Sequence, residues 1–172
     1  MQLKLSDSPD DLWYSWFVGL VDGEGSFIVQ VKDDKCMKDG RNVQLSFQIG
    51  LSEKDSGTID EIKQKLGVGG VYTINYQPRR NKGEDKKDQK RYMVTSISEL
   101  SKIIVPIFRK YNLRTKKKED FEKWVTILKM IRRKEHLTDK GFLKICEIFK
   151  GMNERGFCGN THQKKYISRL QL

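Results

Sequence analysis

The chain has 172 residues, 37% of them apolar and 10% aromatic, which suits one domain with a sizeable core. No segment approaches the roughly 18 consecutive apolar residues of a membrane span, and the opening MQLKLSDSPDD has neither the apolar stretch of a secretory signal nor the Arg/Ser-rich character of a transit peptide, so an intracellular protein without a membrane partner is expected. Thirty-four Lys and Arg against 23 Asp and Glu leave a net charge of +11, which favours a polyanionic partner over a small-molecule substrate.

Ser8-Pro9-Asp10-Asp11 has the form of a helix start, with a capping Ser, Pro at the first position and acids in the first turn; it predicts a helix from about Pro9 to Val21. Ser26 to Lys32 then alternates, Phe27, Val29 and Val31 facing one way and Ser26, Ile28, Gln30 and Lys32 the other, the pattern of a half-buried strand. After a polar turn around Lys38-Asp39-Gly40, Asn42 to Leu51 alternates more cleanly, with Val43, Leu45, Phe47, Ile49 and Leu51 opposite Asn42, Gln44, Ser46, Gln48 and Gly50. A helix from about Asp55 to Leu66 stops at Gly67. Two strands follow, roughly Gly70 to Tyr76 and Lys90 to Ile97, joined by the basic loop QPRRNKGEDKKDQ. Ser98 is expected to cap a short helix to about Ile107. Lys116 to Arg133 carries Phe121, Trp124, Val125, Leu128 and Ile131 at helical spacing, and Thr138-Asp139 opens a last helix ending near Gly151. The order is α-β-β-α-β-β-α-α-α without internal repetition: an α+β domain over 9–152 and a polar C-terminal tail over 153–172.

Cys36, Cys146 and Cys158 are odd in number and lack Cys-x-x-Cys spacing. They read as free thiols of a reducing compartment, and Cys146, Cys158 and His162 are only three groups, at too irregular a spacing for zinc. The outward strand positions Ser26, Gln30, Lys32, Gln44, Ser46 and Gln48 are able to donate and accept at base edges, and a two-stranded ribbon fits the major groove. Ile28, Arg41, Tyr72, Arg79, Arg80 and Arg91 complete the DNA-binding candidates. A merely hydrophilic sheet face would meet the same pattern.

The stretch WFVGLVDGEGSF (16–27) runs apolar and then ends in two acids separated by single glycines. On a helix, Gly19 and Gly23 lie four apart, where missing side chains let a second backbone approach. If an identical helix packs there, with Trp16 and Leu20 flanking the glycines, the C-terminal ends converge on a two-fold axis. Each end brings one Glu24, and a divalent cation relieves the repulsion: Mg²⁺ takes one or two protein carboxylates together with phosphate oxygens and waters. A buried helix ended by Gly25, its acids simply solvated, is the alternative.

FVGLVDGEG, from Phe17 to Gly25, resembles the motif of the LAGLIDADG homing endonucleases, and LSFQIGLSEKD, KLGVGGVY, NLRTKKKEDFEKW and KEHLTDKGFLKICEIFKGMN resemble the segments that follow it in that family, in the same order, from Trp13 to Asn153. The resemblance implies an αββαββα core whose antiparallel, saddle-shaped sheet sits in the DNA major groove, with the motif helices as the dimer interface. It implies Glu24, in place of the more familiar Asp, as the metal-binding acid, with the Gly23 carbonyl completing the ligand set and Asp22 steadying the helix end. The basic catalytic lysine matches Lys116, with Arg114 and Lys117 as neighbours. The family's water-positioning glutamine has no clear counterpart, and Gln48 is the candidate.

One copy of the motif implies a homodimer on a near-palindromic duplex of about 20 base pairs. Mg²⁺ or Mn²⁺ would support hydrolysis of one phosphodiester per strand with short cohesive ends, and Ca²⁺ binding without cleavage. The alternatives are an intron maturase acting on RNA and a non-cleaving DNA-binding regulator. Such proteins belong to mobile introns of organelles, mitochondrion or chloroplast, or of bacterial or archaeal cytoplasm.

Overall fold

The computed structural model describes residues 9–33, 40–75, 88–150 and 152. Helix α1 (Pro9–Glu24) begins with Pro9 and the acids Asp10 and Asp11, where a missing N–H costs nothing and negative charge meets the positive end of the helix dipole. It runs directly into strand β1 (Gly25–Asp33), which pairs with β2 (Arg41–Ser52). A 3-10 turn (Glu53–Asp55) precedes α2 (Ser56–Leu66), and Gly67 closes α2 in the left-handed conformation, φ 70°. Strands β3 (Gly70–Ile74) and β4 (Gln89–Val94) follow. Three consecutive segments, Ile97–Glu99, a wide π turn at Leu100–Ile104 and Val105–Lys110, make one helix, α3. Then come α4 (Lys117–Arg132) and α5 (Asp139–Lys150), so the element order is the one the sequence predicts.

The sheet is antiparallel, with order β1-β2-β4-β3. Its register aligns Phe27 with Phe47 and Phe47 with Val94. One face therefore carries Phe27, Val29, Val31, Val43, Leu45, Phe47, Ile49, Tyr92 and Val94, all buried. Phe17 from α1, Phe108 from α3, and Phe121 and Trp124 from α4 close over Phe27 and Phe47 with ring centroids 5.1 to 6.3 Å apart. Edge-to-face and tilted arrangements predominate, as ring quadrupoles favour. The edge of the sheet at β1 is covered: Trp124 Nε1 donates to the Ile28 carbonyl at 3.2 Å, which satisfies an edge group that would otherwise invite pairing. Among the described residues the helices lie on one side only, and they leave the other side of the sheet open.

Several boundaries differ from the sequence reading. Helix α1 continues three residues past Val21, to Glu24, because a lysine from α4 satisfies its terminal carbonyls. The cap of α3 is Ser96, not Ser98: the Ser96 hydroxyl accepts from Glu99 N at 3.4 Å. The helix also runs past Ile107 to Lys110. Pro106 has no N–H and its ring crowds the carbonyl four residues back, and the wide turn immediately before it lets the helix pass through. Strands β3 and β4 end at Ile74 and Val94, short of the expected Tyr76 and Ile97. Cys146 is buried in the core, whereas Cys36, Cys158, His162 and the tail over 153–172 lie outside the described residues.

The turn between α4 and α5 packs so tightly that a Cβ on Gly141 would come within 2.0 Å of the Glu135 carbonyl oxygen, whereas a Cβ on Gly57 in α2 would meet nothing within 4 Å. Gly141→Ala should therefore lower unfolding stability by about 1–3 kcal/mol, and Gly57→Ala should leave it unchanged or raise it by up to about 1 kcal/mol. Urea unfolding measures both, and equal effects at the two positions would contradict the packing described.

A candidate nucleic-acid interface and its acidic end

On the open face the register sets Ser26 against Gln48, Ile28 against Ser46, Gln30 against Gln44 and Lys32 against Asn42. Beyond these, Gln48 meets Met93, Gly50 meets Arg91 and Ser52 meets Gln89, and β3 adds Gly70, Tyr72 and Ile74. Among the described residues, these paired open-face positions include no Asp or Glu. Behind the sheet four cations are paired with acids: Lys90 with Asp60 at 2.5 Å, Lys65 with Asp10 at 2.5 Å, Lys110 with Asp11 at 2.9 Å, and Arg109 with Glu122. Surface pairs of this kind add little stability, but they sort the charge. An acid-free face of amides, hydroxyls and cations is left to a polyanion.

The DNA-binding candidates Ser26, Ile28, Gln30, Lys32, Gln44, Ser46, Gln48, Tyr72 and Arg91 all fall on this face. Arg41 is the first residue of β2, paired with Asp33, and its side chain lies outside the described set, as do Arg79 and Arg80.

The open face begins where α1 ends. Gly25 opens β1 opposite Ile49, and it must be glycine: an added Cβ would lie 2.6 Å from Val21 Cγ1 and 2.9 Å from the Val21 carbonyl oxygen. Helix α4 reaches back to this junction. Lys117 Nζ donates to the carbonyls of Val21 at 2.8 Å, Gly25 at 2.6 Å and, more distantly, Gly23 at 3.4 Å. The last carbonyls of a helix lack intrahelical partners and carry partial negative charge, and an ammonium is the natural cap. Burial holds the Lys117 ammonium below its ordinary pKa, opposed by the charges of Asp22, Glu24 and Asp120.

Asp22 faces the other way. It accepts from Arg114 N at 2.8 Å, from Thr115 N at 3.3 Å and from the Thr115 hydroxyl at 2.7 Å, fastening the loop that leads into α4. Glu24, the last helical residue, is exposed. Of the lysine run, Lys116 precedes the first turn of α4 with an exposed side chain, and Lys117 bonds the carbonyls of the motif. A run of three lysines gives no reason to prefer one, and only the phase of α4 separates them.

One flank of α1 is little covered by the other described residues. Leu12 and Trp16 are 49% and 44% exposed, Leu20 is half-buried, and a Cβ added at Gly19 or Gly23 would meet nothing within 4 Å. The inward flank is fastened instead, by Trp13 Nε1 on Glu61 at 2.6 Å and by the Tyr111 hydroxyl on Asp11.

The donors at the helix end suit a hard cation that brings other ligands with it. Glu24 supplies an exposed carboxylate. The Gly23 carbonyl, with two lone pairs and one long bond to Lys117, retains acceptor capacity. Among the described residues no group of three or more His, Cys, Asp or Glu could hold a metal alone. A lone carboxylate beside a carbonyl is the small donor set that Mg²⁺ takes in general, completing its shell with phosphates and waters. Among the same residues no helix is long and apolar enough to cross a membrane.

Comparison with known proteins matches residues 17–128 to the family model described as LAGLIDADG endonuclease. The chain is 36% identical over 135 residues to "Probable intron-encoded endonuclease 3" of Neurospora crassa, covering 78% of this chain and 24% of that protein. It spans about a quarter of the length of the curated relatives it matches. Among solved structures it resembles the homing endonuclease I-TnaI at TM-score 0.76 and 32% identity, covering 99% of both chains. It also resembles the meganuclease I-SmaMI bound to uncleaveable DNA at TM-score 0.73 and 27% identity, covering 90% of this chain and 48% of that one.

The fastening by Asp22 has a pH signature. Burial pushes its carboxyl up, but the hydrogen bonds from Arg114 and Thr115 and the charge of Lys117 outweigh burial and hold it below the ordinary 3.8. A depressed carboxylate adds stability that is fully present above the unfolded value and is lost as pH falls through the folded one. The Tm difference between wild type and Asp22→Asn should thus be constant near neutrality and shrink on acidification below pH 3.8. A difference that persists undiminished to about pH 2 would contradict this role.

Proposed function

This chain belongs to the LAGLIDADG endonuclease family, and we propose that it is a site-specific homing endonuclease that binds a long, near-palindromic duplex as a homodimer and cuts each strand once. The observation that carries the reading is a juxtaposition: the exposed carboxylate of Glu24 stands at the α1–β1 junction where the acid-free sheet face begins. A duplex lying along that face brings its phosphates to this carboxylate.

Dimerisation is supported by the little-covered flank of α1. Glycine in a helix costs about 1 kcal/mol relative to alanine, and among the described residues no contact requires Gly19 or Gly23. A second α1 pressed against Gly19, Gly23, Trp16 and Leu20 accounts for both glycines and for the exposed Trp16. It also sets two Glu24 carboxylates near one axis.

Glu24, with the Gly23 carbonyl, would hold Mg²⁺ or Mn²⁺, which when bound supplies a more acidic water and stabilises a leaving 3′-oxygen. The chain's own groups do the rest. The acid-free face binds and orients the duplex. We assign the basic role to Lys117 in preference to Lys116, because Lys117 is anchored on the motif carbonyls beside Glu24. Its ammonium offsets charge on the scissile phosphate. Gln48, paired with Ser26 one residue beyond Gly25, is within the right part of the face to orient the attacking water. The products are a double-strand break with short cohesive ends, and the biological consequence is mobility of a host intron.

The test uses a target enriched from a pool of random duplexes. Glu24→Gln should bind it in Ca²⁺ with near wild-type affinity and show no cleavage in Mg²⁺; cleavage at the wild-type rate would refute the assignment of the acid. Lys117→Met should lower the single-turnover rate by at least about a hundredfold while Lys116→Met changes it by less than about tenfold. The reverse order would return the basic role to Lys116.

A further inference from the structure

We propose that Arg91 is a guanine-reading residue at an inner position of each half-site, laid across a side-chain gap that Gly50 provides; the inference rests on the DNA-binding function proposed above and specifies one base it selects. Along β2 the open-face positions are Asn42, Gln44, Ser46, Gln48, Gly50 and Ser52, and all but Gly50 carry a polar side chain. The register sets Arg91 directly opposite Gly50 and next to Tyr72 of β3. The space a Cβ of Gly50 would take is flanked by Arg91 Nε at 3.7 Å and Gln89 Oε1 at 3.5 Å. The half-buried Arg91 side chain therefore lies beside the gap over the glycine, and its strand partner on the other side is Tyr72, whose 50% exposed ring leans over Gly70.

Two features separate this cation from its neighbours. Lys90, the preceding residue, faces the helices and is neutralised by Asp60 at 2.5 Å. Among the described residues no carboxylate pairs with Arg91. A guanidinium, with its five donors in a rigid fork, matches the O6 and N7 acceptors that guanine presents in the major groove, whereas a mobile lysine serves a phosphate as a point charge. Gly50 follows Ile49, the partner of Gly25. Arg91 is thus closer to the Glu24 junction than Gln30 or Lys32, which lie farther along β1. In a two-fold complex its base recurs once in each half-site, at equal distance from the axis.

The experiment is enrichment of bound sequences from a random duplex pool in Ca²⁺, followed by sequencing, for wild type, Arg91→Gln and Gly50→Leu. Wild type should return a guanine preference of roughly 5- to 150-fold at one symmetry-related pair of inner positions. Arg91→Gln should lose that preference, or turn it toward adenine, with the other positions kept. Gly50→Leu fills the gap while leaving Arg91 in place, and it should weaken the same guanine and no other base. If Arg91→Gln instead lowers binding equally on all sequences and only reduces the salt dependence, Arg91 contacts a phosphate and the inference is overturned. If wild type enriches no sequence at all, the DNA-binding function itself fails, a result distinct from a wild-type profile that Arg91→Gln leaves intact.

Discussion

Everything at the candidate active end depends on one ammonium. Lys117, from the first turn of α4, is held by carbonyls on both sides of the α1–β1 junction. It therefore joins the helix that bears Glu24, the strand that opens the acid-free face, and the helix that covers that strand's edge through Trp124. A helix end with unsatisfied carbonyls is a natural place for a cation. In this chain the cation comes from 92 to 96 residues away in sequence, so the carboxylate stands at a fixed point of the whole fold. Asp22 tightens the same junction from the opposite side by holding Arg114 and Thr115.

The same constraint divides α1 between two uses. Its inward flank, Phe17, Val18 and Val21, is part of the core, while Trp13 and Asp11 fasten it to α2 and α3. The outward flank keeps Leu12, Trp16 and two glycines that no contact among the described residues requires. A short helix anchored this firmly on one side presents a rigid surface on the other, and rigidity is what a shared catalytic axis requires.

Much of this was legible in the sequence. Strict alternation over 26–32 and 42–51 identified both the core face and the open face, since a period of two leaves no other solution once one side is apolar. The glycine spacing in α1 marked the exposed flank, and Gly67 marked the end of α2. What stayed hidden was set by distant partners. The helix from Pro9 was expected to end near Val21, and the bonds from Lys117 to the carbonyls of Val21 and Gly23 accompany its run on to Glu24. Ser96 and Ser98 are equally good caps in isolation, and packing of the following turn selects the first. Lys116 and Lys117 cannot be told apart by composition; the phase of α4 turns one toward the motif. The π turn before Pro106 has no periodic signature at all.

The central claim is that two copies of α1 meet on one duplex. Sedimentation of the protein with an enriched target in Ca²⁺, with absorbance followed separately for protein and DNA, tests it most directly. The account predicts a single complex of two chains per duplex at every protein excess. A complex that saturates at one chain per duplex would contradict it.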